Sequence, residues 1–528
     1  MVRPNLILGI IVLTFIVYGQ SLGNGFVTWD DGLLITENPI IRGLSFHNLW
    51  LAFTSYDPEL YIPLTFLSYQ INYMIGGLQP FGYHLGNLLL HISNAVLVAM
   101  IIGRLPNGKL KIENGKLFSI FNFQFSIIAG LLFAVHPLHT EAVVWAAARK
   151  DVLSAFFFLL TVLCYLRSRF DTRRSVMVSS PELGEGRIEP GPAALLSVTQ
   201  IWNGMYWLSV LMFLLALLSK VSVITWPVLM VLMDWYIAPV PKVGTPAADS
   251  VKRALPFAIL SLIFGIIALG GKIANTGFLY EKFLMGCRAI TLLLQKFFWP
   301  SGLSALYPFT KPVSLFTPEL FLSVLFALFV SVVVLSCAAR RGVRLPLFAW
   351  GWFLLLLAPS FSNITKGHNE LLDIYITTDR YAYLPSIGLL IVVVFLIFYV
   401  FRKLPVLTSS TVFFVLFVFS VLSYKQSLVW KNTLTLFTHV SEAQPRAYVA
   451  WSNIGTEEVR RGRLHEGLQA YSKALQIRDD ATTWYNVGQI LRAQGKRELA
   501  MQAYERAVAS SPLEEDAKRA LEELRMEN

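Results

Sequence analysis

The chain has 528 residues, of which 55% are hydrophobic and only 15% charged, with a mean hydropathy of +0.57. A soluble domain carries about 25% charge, so a cytosolic enzyme and a disordered scaffold are both excluded. The formal charge is +11, yet residues 446–528 hold 13 basic and 13 acidic residues; the excess lies in the apolar part, where helix-flanking charge accounts for it better than a nucleic-acid surface.

Apolar runs recur from Leu6 to Leu422, and many reach the ~18–20 residues that cross a bilayer core. They fall at 5–22, 84–104, 124–140, 151–168, 205–219, 221–238, 254–271, 318–339, 346–360, 384–401 and 409–423. The pattern predicts an all-α polytopic membrane protein of about 11 spans. The first run, Leu6–Tyr18, has no small-residue cleavage site and reads as a retained span. Lys and Arg collect at Arg104–Lys116, Arg167–Arg174, Lys252/Arg253, Arg340–Arg344 and Arg402/Lys403, which assigns those connections to the cytoplasm. The opposite connections carry Asp30, Asp31, Glu37, Asp57, Glu59, Glu141, Glu281, Glu370, Asp373 and Asp379, so the external face is the working face. Phe283–Leu306 is apolar but holds Arg288, Lys296 and Trp299-Pro300; a re-entrant or interfacial helix there preserves the charge rule. Ser175–Ala193 reads as a flexible cytoplasmic linker. Cys164, Cys287 and Cys337 have neither disulfide nor zinc spacing and read as small buried hydrophobes.

Beyond Pro445 an internal repeat begins. An offset of 33 relates Trp451 to Trp484, Asn453 to Asn486, Gly455 to Gly488, Gly462 to Gly495, Ala470 to Ala503, Tyr471 to Tyr504 and Ala474 to Ala507. The pattern resembles tetratricopeptide repeats. Leu434–Arg446 reads as the second helix of a degenerate preceding repeat and Pro512–Met526 as a capping helix. So short an array is marginal alone, which predicts that it docks on the membrane part.

Candidate chemistry concentrates in the external connections. Trp29-Asp30-Asp31 follows the first span; adjacent carboxylates there serve either as turn and cap residues or as a base or ligand at the membrane surface. His136-Pro137-Leu-His139-Thr-Glu141 is followed by Arg149-Lys150-Asp151; the histidines are either helix-end residues or ligands, and the basic pair either anchors or functional. Lys220, Arg288, Lys296 and Arg380 either snorkel to lipid phosphates or neutralise the phosphate of a bound lipid substrate. No phosphate-binding Gly-rich loop or G-x-S-x-G occurs, so a preactivated, lipid-linked substrate suits an external site better than a nucleotide.

Taken in order, F-x-x-W-D-D, H-P-x-H-T-E-A-V, S-K before a proline-containing span, D-R-Y-x-Y-L-P-S-x-G and the trailing repeats resemble the transmembrane and tetratricopeptide-repeat-containing protein O-mannosyltransferases and their bacterial relatives among the GT-C membrane glycosyltransferases. The resemblance implies a GT-C-type bundle over residues 1–425, a repeat domain over 426–528, and transfer of mannose or a similar hexose from a polyprenyl-phosphate donor to a hydroxyl, with inversion. It implies catalytic roles for Asp30 or Asp31 and Glu141, and donor-phosphate contacts from Lys220, Arg288 and Arg380. His136, His139, Arg149 and Asp379 would support them, and Trp451, Asn453, Trp484 and Asn486 would hold a protein or peptide acceptor. A divalent cation, Mg or Mn, on Asp31 and Glu141 is an open alternative. The short repeat array favours a bacterial inner membrane with periplasmic repeats, the endoplasmic reticulum membrane with luminal repeats being the other possibility. Glycolipid or polysaccharide modification, and a non-enzymatic membrane scaffold, are the competing functions.

Overall fold

A computed structural model describes residues 4–56, 60–105, 109–111, 117–119, 123–178, 203–237, 247–271, 279–341, 344–363, 374–401, 403–511 and 515–526. Most of the linker expected at 175–193 lies outside these residues, as do Asp57, Glu59, Glu370 and Asp373. The architecture is all-helical apart from a short antiparallel pair, Lys109–Lys111 with Leu117–Ser119. Every apolar run becomes helix. Among the described residues five helices are long and apolar enough to cross a membrane: Pro80–Ile102, Ala146–Arg169, Asp249–Gly270, Pro318–Ala339 and Pro405–Val429. The other runs give shorter helices, because polar or proline-containing breaks near Lys220, Pro359 and Pro385 stop them early. In Phe283–Leu306, Leu279–Phe298 is one continuous helix, and from Trp299 the irregular chain folds back against it, Lys296 Nζ donating to the Ser301 and Gly302 carbonyls and Tyr307 joining the cluster of Leu284, Met285 and Leu292.

The sharp bend lies elsewhere. Gln124–Val135 and Pro137–Val144 meet at 53°, because Pro137 has no N–H to continue the helical ladder. That break strands three successive carbonyls in an apolar interior, where an unpaired group is costly. Each finds a side chain from a different element. His139 Nδ1 donates to Phe133 O (2.7 Å), His91 Nε2 to Ala134 O (3.0 Å) and the Ser423 hydroxyl to Val135 O (2.8 Å). His136 accepts the Leu138 N–H (3.2 Å) and stacks on Phe297 at 4.7 Å. The histidines therefore hold the bend together.

The repeat pattern is explained by close helix approach. A Cβ on Gly455 would meet the Tyr471 ring at 2.5 Å, and one on Gly488 would meet Tyr504 at the same distance. Gly462 (φ 78°) and Gly495 (φ 71°) make the turns between paired helices, in a backbone region that favours glycine. The helices Tyr448–Arg460 with Leu464–Ile477 and Ala481–Ala493 with Arg497–Ser510 form the two repeats, and Glu515–Met526 caps them. The preceding helix, Thr433–Ala443, docks on the membrane part as expected: Phe437 lies 6.0 Å from Trp29, His439 Nε2 donates to Leu303 O (2.9 Å), and Gly25 N–H donates to Lys431 O (2.9 Å).

Candidate active site

Two adjacent carboxylates take opposite environments. Asp31 is 1% exposed and accepts the backbone N–H groups of Val27 and Ala147, each at 2.8 Å and one on each oxygen. Burial pushes its pKa up to about 7 against the pull of those two N–H groups. Asp31 thus staples the loop after the first helix to the turn at Ala146–Ala148. The Asp30 side chain is 30% exposed and pairs with Lys150 Nζ at 3.1 Å. Burial would raise its pKa, but Lys150, Arg380 and Lys220 together outweigh that and hold it below the usual carboxylate range. Of the pair, only Asp30 has a carboxylate free to meet a substrate.

Three consecutive residues at a helix start supply the surroundings. Neighbours on a helix project about 100° apart, so Arg149, Lys150 and Asp151 address three partners. Lys150 reaches Asp30, and Asp151 holds Lys220 Nζ at 2.5 Å. Arg149 is buried among neutral acceptors: Tyr83 O (2.6 Å), Asn72 Oδ1 (3.1 Å), Ser68 Oγ (3.4 Å) and Asn87 Oδ1. It stands where no carboxylate is in ion-pair reach among the described residues, and it ties the helices Pro63–Gly76 and Pro80–Ile102 to the helix that it begins. Gly86 leaves the space its guanidinium fills. Gly86→Ala is therefore expected to cost about 1–3 kcal/mol through overpacking, seen as a lower melting temperature of the solubilised protein.

Glu141 and Arg380 form a third ion pair, the carboxylate also accepting the Arg380 backbone N–H at 3.0 Å. Both Glu141 oxygens are engaged in positioning Arg380, and both Asp31 oxygens accept backbone N–H groups. Among the described residues no three His, Cys, Asp or Glu side chains gather as a metal site. Asp379 accepts the Tyr307 hydroxyl (2.8 Å), which in turn accepts Ser304 N–H (3.0 Å). Burial and the neighbouring Glu141 push the Asp379 carboxyl well above the usual range, and through Tyr307 it braces the loop before Arg380.

Arg380 and Lys220 line a cleft of about 1000 Å³ whose walls include Phe264, Ile267, Leu356 and Leu384. Both cations lie beside the Tyr381 ring, at 5.2 and 5.5 Å. Arg380 Nε is buried and, among the described residues, has no hydrogen-bond partner. A cleft with apolar walls and two cations, Lys220 paired with Asp151 and Arg380 keeping an unused donor, can take an anionic group beside a hydrocarbon chain. Arg288 is not part of it; its charged neighbour is Glu319, on the facing helix. Lys296 is likewise used elsewhere, donating to Ser301 O (2.5 Å) and Gly302 O (3.1 Å).

The repeat residues expected to hold an acceptor serve the repeats themselves. Trp451 Nε1 donates to Pro445 O (3.0 Å) beneath Lys473, and Trp484 donates to Asp479 beneath Arg506. Asn453 donates to Val449 O (2.8 Å) within its own helix, and Asn486 meets Tyr471. What sequence reasoning missed is the contact between this module and the loop that carries Asp30. Thr28 N–H donates to Thr433 Oγ1 (2.9 Å), and Arg460 Nη1 donates to Thr28 Oγ1 (3.1 Å), two residues before Asp30.

Tetratricopeptide repeat matches residues 481–512. Protein O-mannosyl-transferase Tmtc3 of Drosophila melanogaster is 24% identical over 510 residues, 86% of this chain and 52% of the relative. The chain resembles the protein O-mannosyl-transferases. Locally the likeness is stronger: tmtc2 of Xenopus laevis is 35% identical over 162 residues (29% of this chain, 18% of the relative), and TMTC4 of Homo sapiens 34% over 165 (30% and 22%). The chain spans about half the length of the relative it matches most extensively, and the matches to the other two cover a fifth of theirs. A multi-pass membrane protein with a repeat module is what both the helices and these relatives describe.

Proposed function

We propose that this chain is an inverting membrane glycosyltransferase of GT-C type, acting on the non-cytoplasmic side. It moves mannose or a similar hexose from a polyprenyl-phosphate donor to a Ser or Thr hydroxyl of a protein. Residues 1–425 form the transferase domain and residues 426–528 the module that presents the acceptor. The observation that supports this reading is one part-exposed carboxylate, Asp30, within electrostatic reach of Arg380 and Lys220, the two cations that line an apolar-walled cleft, Arg380 keeping an unused guanidinium donor.

In this mechanism the donor tail lies along the Phe264–Leu384 walls and its phosphate meets Arg380 and Lys220. The acceptor hydroxyl attacks the anomeric carbon opposite the phosphate. A new C–O bond forms, the C–O bond to phosphate breaks, and the hydroxyl proton passes to Asp30. A carboxylate of low pKa is a weak base, but it suffices because the hydroxyl becomes acidic as it bonds to an oxocarbenium-like carbon. Arg380 and Lys220 stabilise the charge growing on the leaving phosphate, and Lys150 keeps Asp30 ionised.

The deciding test is transfer of radiolabelled mannose from polyprenyl phosphate mannose to a Ser/Thr peptide by the purified chain. Turnover supports the reading; labelled lipid consumed only with a glycolipid acceptor overturns the protein substrate. The depressed pKa also sets the pH profile. A base must be deprotonated, and a group whose folded pKa is lowered stays so further into acid. The acidic limb of kcat/KM is therefore expected below the ~4 of an ordinary carboxylate, measured in brief pH-jump assays. A limb near pH 6 to 7 would instead point to the buried Asp31.

A further inference from the structure

A second groove, of about 1400 Å³, lies between the Pro405–Val429 helix and the chain at Phe298–Leu303, and nothing in the proposed reaction uses it. On the long helix its lining residues Phe414, Val418, Leu422 and Lys425 fall on one stripe, at intervals of four, four and three. The stripe is apolar along its length and polar only at its end, where Lys425 sits beside His439 of the Thr433–Ala443 helix. Phe414 and Phe298 are each more than 60% exposed, so the groove opens sideways where lipid surrounds the protein.

Its length identifies the kind of occupant. From Phe414 to Lys425 is eleven residues, about 16 Å at 1.5 Å per residue. One leaflet of hydrocarbon is about 15 Å, half the bilayer core. The basic pair Arg402/Lys403 before Pro405 assigns that end of the helix to the cytoplasm. The groove therefore runs from mid-membrane to the external surface, with its cation at headgroup level. Among the described residues Lys425 has no carboxylate partner. The headgroup end is also firmly built: Lys296 holds the Ser301 and Gly302 carbonyls, and His439 donates to Leu303 O.

We propose that this groove binds an anionic glycerophospholipid of the outer leaflet, with acyl chains along Phe414–Leu422 and phosphate at Lys425. A polyprenyl chain is much longer than one leaflet, whereas a phospholipid's acyl chains match the length of the stripe. Because the wall at headgroup level is shared by the membrane part and the Thr433–Ala443 helix, the lipid braces the repeat module above the bilayer. This inference does not depend on the transferase reading.

The test uses the full chain, delipidated in mild detergent and incubated with dioleoyl phosphatidylglycerol, phosphatidylcholine or undecaprenyl phosphate, and read by native mass spectrometry and by thermal melting. One phosphatidylglycerol per chain is expected to be retained, raising the melting temperature, with phosphatidylcholine bound more weakly. Lys425→Glu is expected to weaken phosphatidylglycerol by about tenfold, since a surface basic residue is worth about 1 kcal/mol at an anionic headgroup and reversal adds repulsion. Arg519→Glu, the same charge change on the exposed terminal helix, should have no effect. Val418→Trp fills the groove and should remove both phospholipids; should it fail to fold, the exposed Lys425→Glu still decides. Retention unchanged by Lys425→Glu, or undecaprenyl phosphate displacing phosphatidylglycerol one for one, overturns the proposal.

Discussion

Asp30→Asn is expected to lower kcat for sugar transfer by about 10²- to 10⁴-fold, the range a general base contributes, with a smaller fall in melting temperature because the amide oxygen still accepts from the buried Lys150. Asp31→Asn is expected to do the reverse. Each Asp31 oxygen accepts one backbone N–H, and Asn can replace only one of them. One buried N–H then faces a donor, at a cost of about 1–3 kcal/mol, so the protein melts earlier and the surviving fraction turns over with a modest loss. The contrast follows from exposure: two neighbours in sequence, one with its side chain 30% exposed and one sealed. Equal loss of kcat in both variants, with melting unaltered, would falsify the assignment of the base to Asp30.

Arg380 is expected to show two separable effects. Arg380→Met removes a cation from the cleft, and loss of one such group costs about 10²- to 10³-fold in kcat. It also strands Glu141 as an unpaired buried carboxylate, a penalty of about 3–5 kcal/mol. Adding Glu141→Gln should restore most of the stability, because replacing both members of a buried pair is far cheaper than removing one. It should not restore turnover. A double variant that regains activity would show that the pair acts on the fold alone, and the donor phosphate would need another anchor.

Much of the fold was legible in the sequence because its signals are local. Apolar length marks a membrane helix wherever it occurs, and every such run is helical. The 33-residue offset was legible because each repeat must solve the same packing problem, a tyrosine ring against a glycine backbone. The site was legible only as a set of candidates. His136 and His139 look like ligands in sequence, yet their spacing around Pro137 reflects a broken helix whose carbonyls need donors. Glu141 looks like an acid catalyst until Arg380, 239 positions away, occupies both its oxygens. Arg288 shares the composition of Lys220 but faces Glu319.

By itself, then, the order of residues determined a multi-pass helical protein with a docked repeat module, and narrowed its chemistry to a handful of acids and bases. Hydrophobicity and periodicity act over one or two helical turns, so they survive in a linear reading. Only the tertiary structure decided which partners each of those charges meets. A carboxylate's role depends on what its oxygens touch, and here the partners come from elements more than a hundred residues apart, as Asp30 with Lys150 and Asp31 with Ala147 do.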